Sequence, residues 1–345
     1  MRAVQIENLR YELRPENLAG TPREFRLGRR DLGRLLVVDR ASKKLLDRAV
    51  NDLPALLRPG DVLVLNNSAR IPGVLRGRTK RGGQVELRFV DLSDEGRGLC
   101  RIFPQHDVQV GDVLNLEGGD AVRVLGAGLT VYGVAEVEGV GRTLRALLRA
   151  QGSPILGFFY DDLWSIDELN PYYASEQGSV ESPLAGLHFT PELVQGLKER
   201  GVDVSFVTLH SVGSWLPFLE ARAEEHRMWA EAFCVPPETE AAIAKARAIG
   251  GRVVAVGSTS LRALESARAE GRKVRATRGR TDLYITPGYT FGVVDIYFTN
   301  FHQYQTSLMV LDCAVAGEEL AMCAYRTAAK RGYRFYEFGD AVLYR

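Results

Sequence analysis

Cysteine is scarce in this chain of 345 residues, and the four present (Cys100, Cys234, Cys313, Cys323) share no short paired spacing. That excludes a zinc ribbon, an iron–sulfur cluster and a disulfide scaffold. The five histidines are equally dispersed, with no His-x-x-x-His pair. A metal site would have to be assembled from distant segments, and nothing in the sequence calls for one. No apolar run approaches the length of a membrane span, and the first eight residues lack the apolar core of a secretion signal. The expectation is a cytoplasmic protein with no membrane partner. A net charge of +1 gives no bulk signature of a nucleic-acid binder. Neither Gly-x-Gly-x-x-Gly nor a P-loop is present, which counts against an ordinary Rossmann methyltransferase. Repeats and low-complexity tracts are absent as well.

What the chain does have is two alternating patterns. Continuous apolar runs at 61–65, 202–207 and 252–256 read as strands covered on both faces. Segment 238–249 sets Ala242, Ile243, Ala246 and Ile249 on one helical face, with Gly250-Gly251 as its stop. Segment 318–331 repeats the pattern with Leu320, Ala321, Ala324 and Ala328. Strand, helix, strand in succession is α/β. Residues 73–140 follow a different rule. Segment 84–90 alternates strictly, and 113–116 and 121–125 are joined by Glu117-Gly118-Gly119-Asp120, a hairpin signal. A glycine turn at 126–128 then leads into 129–135. Short alternating strands between glycine turns predict a small barrel. The expected fold class is α/β: a large α/β domain (1–72 and 151–345) with an inserted small antiparallel β-barrel domain (73–150).

Basic residues cluster at Arg23, Arg26, Arg29, Arg30 and Arg34, and again at Arg76, Arg78, Lys80 and Arg81. Either cluster is a local phosphate footprint or a solvated face. Thr190-Pro191 reads as the N-cap and first residue of a helix running through Lys198, which puts His188 at a helix mouth. The field there disfavours a cationic imidazole, as a general base requires; a hydrogen-bonded core histidine is the competing reading. Thr208 to Pro217 leaves the end of a strand, where ligands of open α/β sheets collect, and Trp215 either covers a flat ligand or plugs the loop. Val254 to Arg262 is strand, glycine, hydroxyl residues and helix, a weak anion-site signal. Asp282 to His302 gathers aromatics, Asp295, Asn300 and His302 within some twenty residues. Asp340 follows a glycine near the end of the chain, where a cap or turn role competes with a functional one.

Taken together, these segments resemble the S-adenosylmethionine:tRNA ribosyltransferase-isomerases of queuosine biosynthesis. The resemblance is carried in order by Leu35 to Arg40, Pro59-Gly60-Asp61, Asn66 to Pro72, Ala185 to Thr190, Val207 to His210, Val256 to Arg262, Pro287-Gly288-Tyr289, Thr299 to His302, Tyr333-Arg334-Phe335 and Gly339-Asp340-Ala341. It implies that S-adenosylmethionine, a co-substrate rather than a cofactor, donates its ribosyl group to 7-aminomethyl-7-deazaguanine in the anticodon arm of a tRNA, acting as a monomer. In the chemistry usually proposed for the family, a base removes a proton beside the sulfonium, adenine leaves, the aminomethyl nitrogen attacks, and closure to the epoxide expels methionine. On that demand the expected base is His188, oriented by Thr190, with Asp295 or Glu231 facing the sulfonium. Ser258, Thr259 and Arg262 are expected on the methionine carboxylate. Asn66, Arg70, Phe189, His210, Trp215, Tyr289, Asn300, His302 and Asp340 are expected to complete the substrate pocket, and Arg76, Arg78, Lys80 and Arg81 to meet tRNA. The chain departs from the family pattern at Asn66 to Arg70, where an acid is replaced, in the loop Ser211 to Trp215, and at His226 to Glu231, where a histidine is lost. It departs again at 154–159 and 170–174. A paralogue that binds tRNA without catalysis, or takes a changed acceptor, is the alternative reading.

Overall fold

The computed structural model describes residues 5–92, 96–104, 108–126, 133–156, 160–181, 183–212 and 222–345. Its larger unit is a nine-stranded mixed sheet. At the centre, Asp203–Leu209, Val62–Asn66, Val253–Val256 and Ile296–Asn300 run parallel in that order. Ala341–Tyr344 then pairs antiparallel with Ile296–Asn300 and parallel with Arg34–Asp39, and the edges are antiparallel.

The apolar runs work because every residue of Val62–Asn66, Val253–Val256 and Ile296–Asn300 is buried. Successive side chains go to opposite faces of a strand. Val62, Val64, Val253 and Ala255 enter one core, with Ile243, Leu261, Met309 and Ala324 from the covering helices. Leu63, Leu65, Val254 and Val256 enter the other, against Leu193 and Leu197 of helix Pro191–Glu199. The helices expected at 238–249 and 318–331 are Pro237–Ala248 and Glu318–Lys330.

The second unit is a closed barrel of six strands: Val134–Val140, Arg97–Phe103, Gln84–Leu92, Val74–Arg78, Val113–Leu116 and Ala121–Gly126, in that order around the wall. Alternation along Gln84–Leu92 sends Val85, Leu87 and Phe89 inward against Val122, Val124 and Val137. The expected hairpin closes as read, with Leu116 N–H donating to Asp120 O at 2.8 Å and Gly119 in the left-handed region. Gly77 is required by close approach, since a Cβ there would meet Asn115 O at 2.4 Å. Of the turn and strand expected across 126–135, residues 127–132 lie outside the described residues. Helix Leu144–Gln151 is capped by Thr143, whose hydroxyl accepts from Ala146 N, and it buries Leu144, Leu147 and Leu148 in the barrel core. Val212 and Trp229 from the large unit pack on the same core, and Arg280 ion-pairs with Asp91 at 2.8 Å. No described helix is long and apolar enough to cross a membrane.

Candidate active site

A cavity of about 600 Å³ opens outside the carboxyl ends of the parallel strands, the place where open α/β sheets bind ligands. Each central strand delivers a piece of wall. Arg70 comes from just beyond Val62–Asn66, Ser211 and Val212 from beyond Asp203–Leu209, Gly257 to Thr259 from beyond Val253–Val256, and Thr299 to His302 from the end of Ile296–Asn300. Tyr284, Trp229, Tyr336 and Glu337 add flat and acidic surface, and the barrel contributes Arg88.

Seven of the residues expected at the site meet here: Arg70, Glu231, Ser258, Thr259, Arg262, Asn300 and His302. Ser258 and Thr259 lie in the first turn of helix Gly257–Ser266, which no side chain caps, so backbone N–H groups and two hydroxyls sit together at the cavity wall. Arg262 is committed elsewhere. It ion-pairs with Glu231 and donates to Leu283 O at 2.9 Å, while Glu231 also accepts from Val212 N at 2.9 Å. The pair stitches the wall and neutralises itself, so Arg262 is not a free anchor for a carboxylate, nor Glu231 a free anion for a sulfonium.

Asn300 organises the opposite wall. Its Nδ2 donates to Tyr336 O at 2.9 Å and Glu337 O at 3.0 Å, pinning the turn that carries Glu337. Glu337 Oε2 is shut off from solvent without a hydrogen-bond partner. Burial raises this carboxyl to about 7 against the opposing pull of Arg70. Burial lowers the Arg70 guanidinium, which Glu337 and Glu181 in turn support. His302 Nε2 lies 3.0 Å from Thr299 Oγ1, and burial lowers the imidazole to about 3, so it is neutral.

The other expected residues lie away from the cavity or outside the described residues. His188 is wholly buried, but it stands behind Asn300 rather than on the cavity wall. Its Nε2 is 2.8 Å from Arg23 Nη2 and 3.1 Å from Asn300 Oδ1. Arginine only donates, so Nε2 accepts from Arg23 and its lone pair is spent. Burial first, then Arg23, hold this imidazole well below the usual histidine range. It is not placed to take a proton from a substrate. Thr190 does not touch it: its hydroxyl caps helix Pro191–Glu199 and donates to Asp31 at 3.3 Å. Asp295 precedes strand Ile296–Asn300 and so lies at the sheet's opposite edge, gripped by Arg247 at 2.5 Å and by Arg272. Five residue steps along the strand carry the chain from Asp295 to Asn300, about 16 Å.

Asn66 is a backbone clamp, its amide exchanging hydrogen bonds with Leu209 N and O. His210 bonds Ser68 Oγ at 2.7 Å and fills space that a Cβ on Gly178 would take. Phe189 packs edge-on to Phe298 in the core. Tyr289 donates to Glu265 at 3.2 Å away from the cavity. Asp340 accepts from the backbone N–H groups of Arg34 and Arg334, a turn role. Trp215 lies outside the described residues. Arg76 is on the barrel surface, paired with Glu86 at 3.1 Å; Arg78, Lys80 and Arg81 follow it, exposed, at the hairpin beyond. The residues missed are Glu337, Arg23, Tyr284 and Trp229. An acid set among aromatics in Phe335 to Phe338 was the available signal for Glu337.

A sheet with a nucleoside-sized cleft at its carboxyl edge, and a small barrel contributing to the wall, defines an α/β enzyme that acts on a ligand held across that edge. The chain belongs to the queuosine biosynthesis protein family, whose model matches residues 6–344. It is 42% identical to the S-adenosylmethionine:tRNA ribosyltransferase-isomerase of Thermus thermophilus, over 98% of this chain and 99% of that one. It is 38% identical to the same enzyme of Nitrosospira multiformis, over 99% and 98%. The crystal structure of S-adenosylmethionine tRNA ribosyltransferase from Thermotoga maritima superposes with a TM-score of 0.56 at 32% identity, covering 98% of this chain and all of that one.

Proposed function

We propose that the chain transfers and isomerises the ribosyl group of S-adenosylmethionine onto 7-aminomethyl-7-deazaguanine in tRNA, giving epoxyqueuosine-tRNA with release of adenine and methionine. The observation that carries this is the cavity at the carboxyl edge of the sheet, in a chain that its family matches almost end to end. The uncapped first turn of Gly257–Ser266, with the Ser258 and Thr259 hydroxyls, suits the methionine carboxylate. Tyr284 and Trp229 supply aromatic faces for a base or a sulfonium. The acceptor base swings out of the anticodon loop to reach the cleft. Residues 73–150 act as an inserted unit whose Arg78, Lys80 and Arg81 meet phosphates, and the enzyme works as a cytoplasmic monomer needing no cofactor beyond its co-substrate.

Mixing the protein with S-adenosylmethionine should release adenine only when tRNA bearing the 7-aminomethyl-7-deazaguanine is present. Changing Arg78, Lys80 and Arg81 together to glutamine should raise the KM for tRNA about tenfold or more and flatten its salt slope by up to about 3. S-adenosylmethionine affinity should not move. Adenine release without tRNA would remove the acceptor assignment, and an unchanged KM would place the tRNA elsewhere.

A further inference from the structure

The reaction proposed above needs a group to take a proton from carbon, and the wall of the cavity offers several titratable candidates of unequal fitness. Glu231 is locked to Arg262. Glu181 accepts from the Ser211 hydroxyl at 3.4 Å. His302 is neutral, but its Nε2 faces the Thr299 hydroxyl and its basicity is far below that of free imidazole. Glu337 differs from all three: it lines the cavity, is partly accessible, and its inner oxygen Oε2 is sealed from solvent without a hydrogen-bond partner.

The backbone around Glu337 is built to hold it. Tyr336, the preceding residue, has φ +72°, a left-handed conformation that non-glycine residues seldom adopt. It is held there by hydrogen bonds from Tyr336 N to Phe301 O at 3.0 Å, from Gly339 N to Tyr336 O at 3.1 Å, and from the Asn300 amide. Arg23 reaches the same turn from behind, donating to Gly339 O and, at 3.5 Å, to Glu337 O. A strained turn fixed from three sides, with an unpartnered acid at its tip on the cavity wall, is a positioned reactive group rather than a piece of packing.

We propose that Glu337 is the catalytic base, its carboxylate removing a proton from C5′ of S-adenosylmethionine. The inference rests on the functional reading above. In this step the C5′–H bond breaks and an O–H bond forms on Glu337. The electron pair stays on C5′, stabilised by the adjoining positive sulfur as a ylide, and is then available for the eliminations that expel adenine. A carboxylate and a sulfonium become a neutral acid and a neutral ylide. Annihilating two opposite charges costs far less in a desolvated cavity than in water, so the enclosure of Glu337 favours the step. Its elevated pKa of about 7 also makes it a stronger base than a surface glutamate while leaving it largely ionised just above neutrality.

The test uses the whole protein, acceptor tRNA and S-adenosylmethionine deuterated at C5′. Wild type should lose deuterium from C5′ with turnover, and its kcat/KM should rise with pH along a limb centred near 7. Glu337→Gln, nearly isosteric, should cut adenine release on the order of 10² to 10⁴-fold and abolish the limb, with S-adenosylmethionine affinity by calorimetry within about threefold. Glu337→Asp keeps a carboxyl one methylene further back, so it should retain a limb at reduced rate, and it serves if the glutamine variant does not fold. Glu337→Gln turning over with the wild-type limb would overturn the proposal. So would a raised KM for S-adenosylmethionine at unchanged kcat, which would make Glu337 a binding group. Wild type that releases adenine while Glu337→Gln does so equally well sinks this inference alone. Wild type that releases none sinks the functional reading, and this with it.

Discussion

Replacing Arg23 with alanine is expected to destabilise the protein by about 3–5 kcal/mol, the scale for removing one member of a buried, hydrogen-bonded charge network. Arg23 is wholly buried. Its guanidinium donates to Gly339 O through Nε at 2.7 Å and to His188 Nε2 at 2.8 Å, and its charge, with that of Arg34, favours the ionised form of the buried Asp340. Burial lowers it to about 9, so it remains charged at neutral pH. Alanine strands a carbonyl and an imidazole nitrogen, each costing about 1–3 kcal/mol, removes a stabilising charge from Asp340, and leaves a void. The melting temperature should fall by roughly 10 °C, at about 2–4 °C per kcal/mol for a large domain. Turnover should fall as well, because the turn carrying Glu337 loses its rear anchor. Arg26→Ala is the control: its half-buried guanidinium donates to Phe338 O at 2.8 Å and Thr21 O at 3.0 Å, and its loss should cost about 1–2 kcal/mol. Equal effects from the two substitutions would mean that Arg23 has no special place. Thermal denaturation followed by calorimetry decides between them.

The second large effect concerns Arg70. Methionine at this position keeps most of the volume and removes the charge. Arg70 holds Glu337 lower than burial alone would leave it, so its loss favours the protonated acid. The sign follows directly: the Glu337 pKa rises, and the acid limb of the pH–rate profile moves to higher pH. A shift of about one unit, or about 1.4 kcal/mol, would take the ionised fraction at pH 7 from about a half to about a tenth. Turnover at pH 7 should therefore drop about fivefold or more and recover substantially by pH 9. Arg70 also donates to Ile155 O, so a further loss independent of pH is expected from a loosened wall. A limb that stays put, or moves to lower pH, would contradict the electrostatic link between the two residues.

Much of this architecture is legible in the sequence because it is local. A strand buried on both faces must be apolar at every position, and Val62 to Leu65 and Val253 to Val256 are. A barrel wall must alternate, and Gln84 to Phe89 does. The small residues at Ser258 and Thr259 were readable because a strand-to-helix turn falls at the carboxyl edge of a parallel sheet by geometry. The failures share a different cause. Asp295 and Asn300 are five residues apart, near neighbours in sequence, yet one strand sends them to opposite edges of the sheet. His188 sits beside a helix start as expected, but whether it meets solvent, substrate or another side chain depends on Arg23, 165 residues away. Arg23 itself was one of five arginines in a basic cluster, and charge counting does not tell which member turns inward. Glu337 carries no local mark beyond its aromatic neighbours. Its character comes from enclosure, which exists only once the chain ends of four strands have converged.

The most direct measurement follows two labels through one turnover. S-adenosylmethionine is supplied with one isotope in the ribose and another in the methyl group, together with acceptor tRNA, and the tRNA is recovered and counted. The account predicts ribose label in the tRNA, methyl label in free methionine, and one adenine released per ribosyl group transferred. Methyl label in the tRNA, or S-adenosylhomocysteine in place of adenine and methionine, would show that the cavity donates the wrong group and would contradict it.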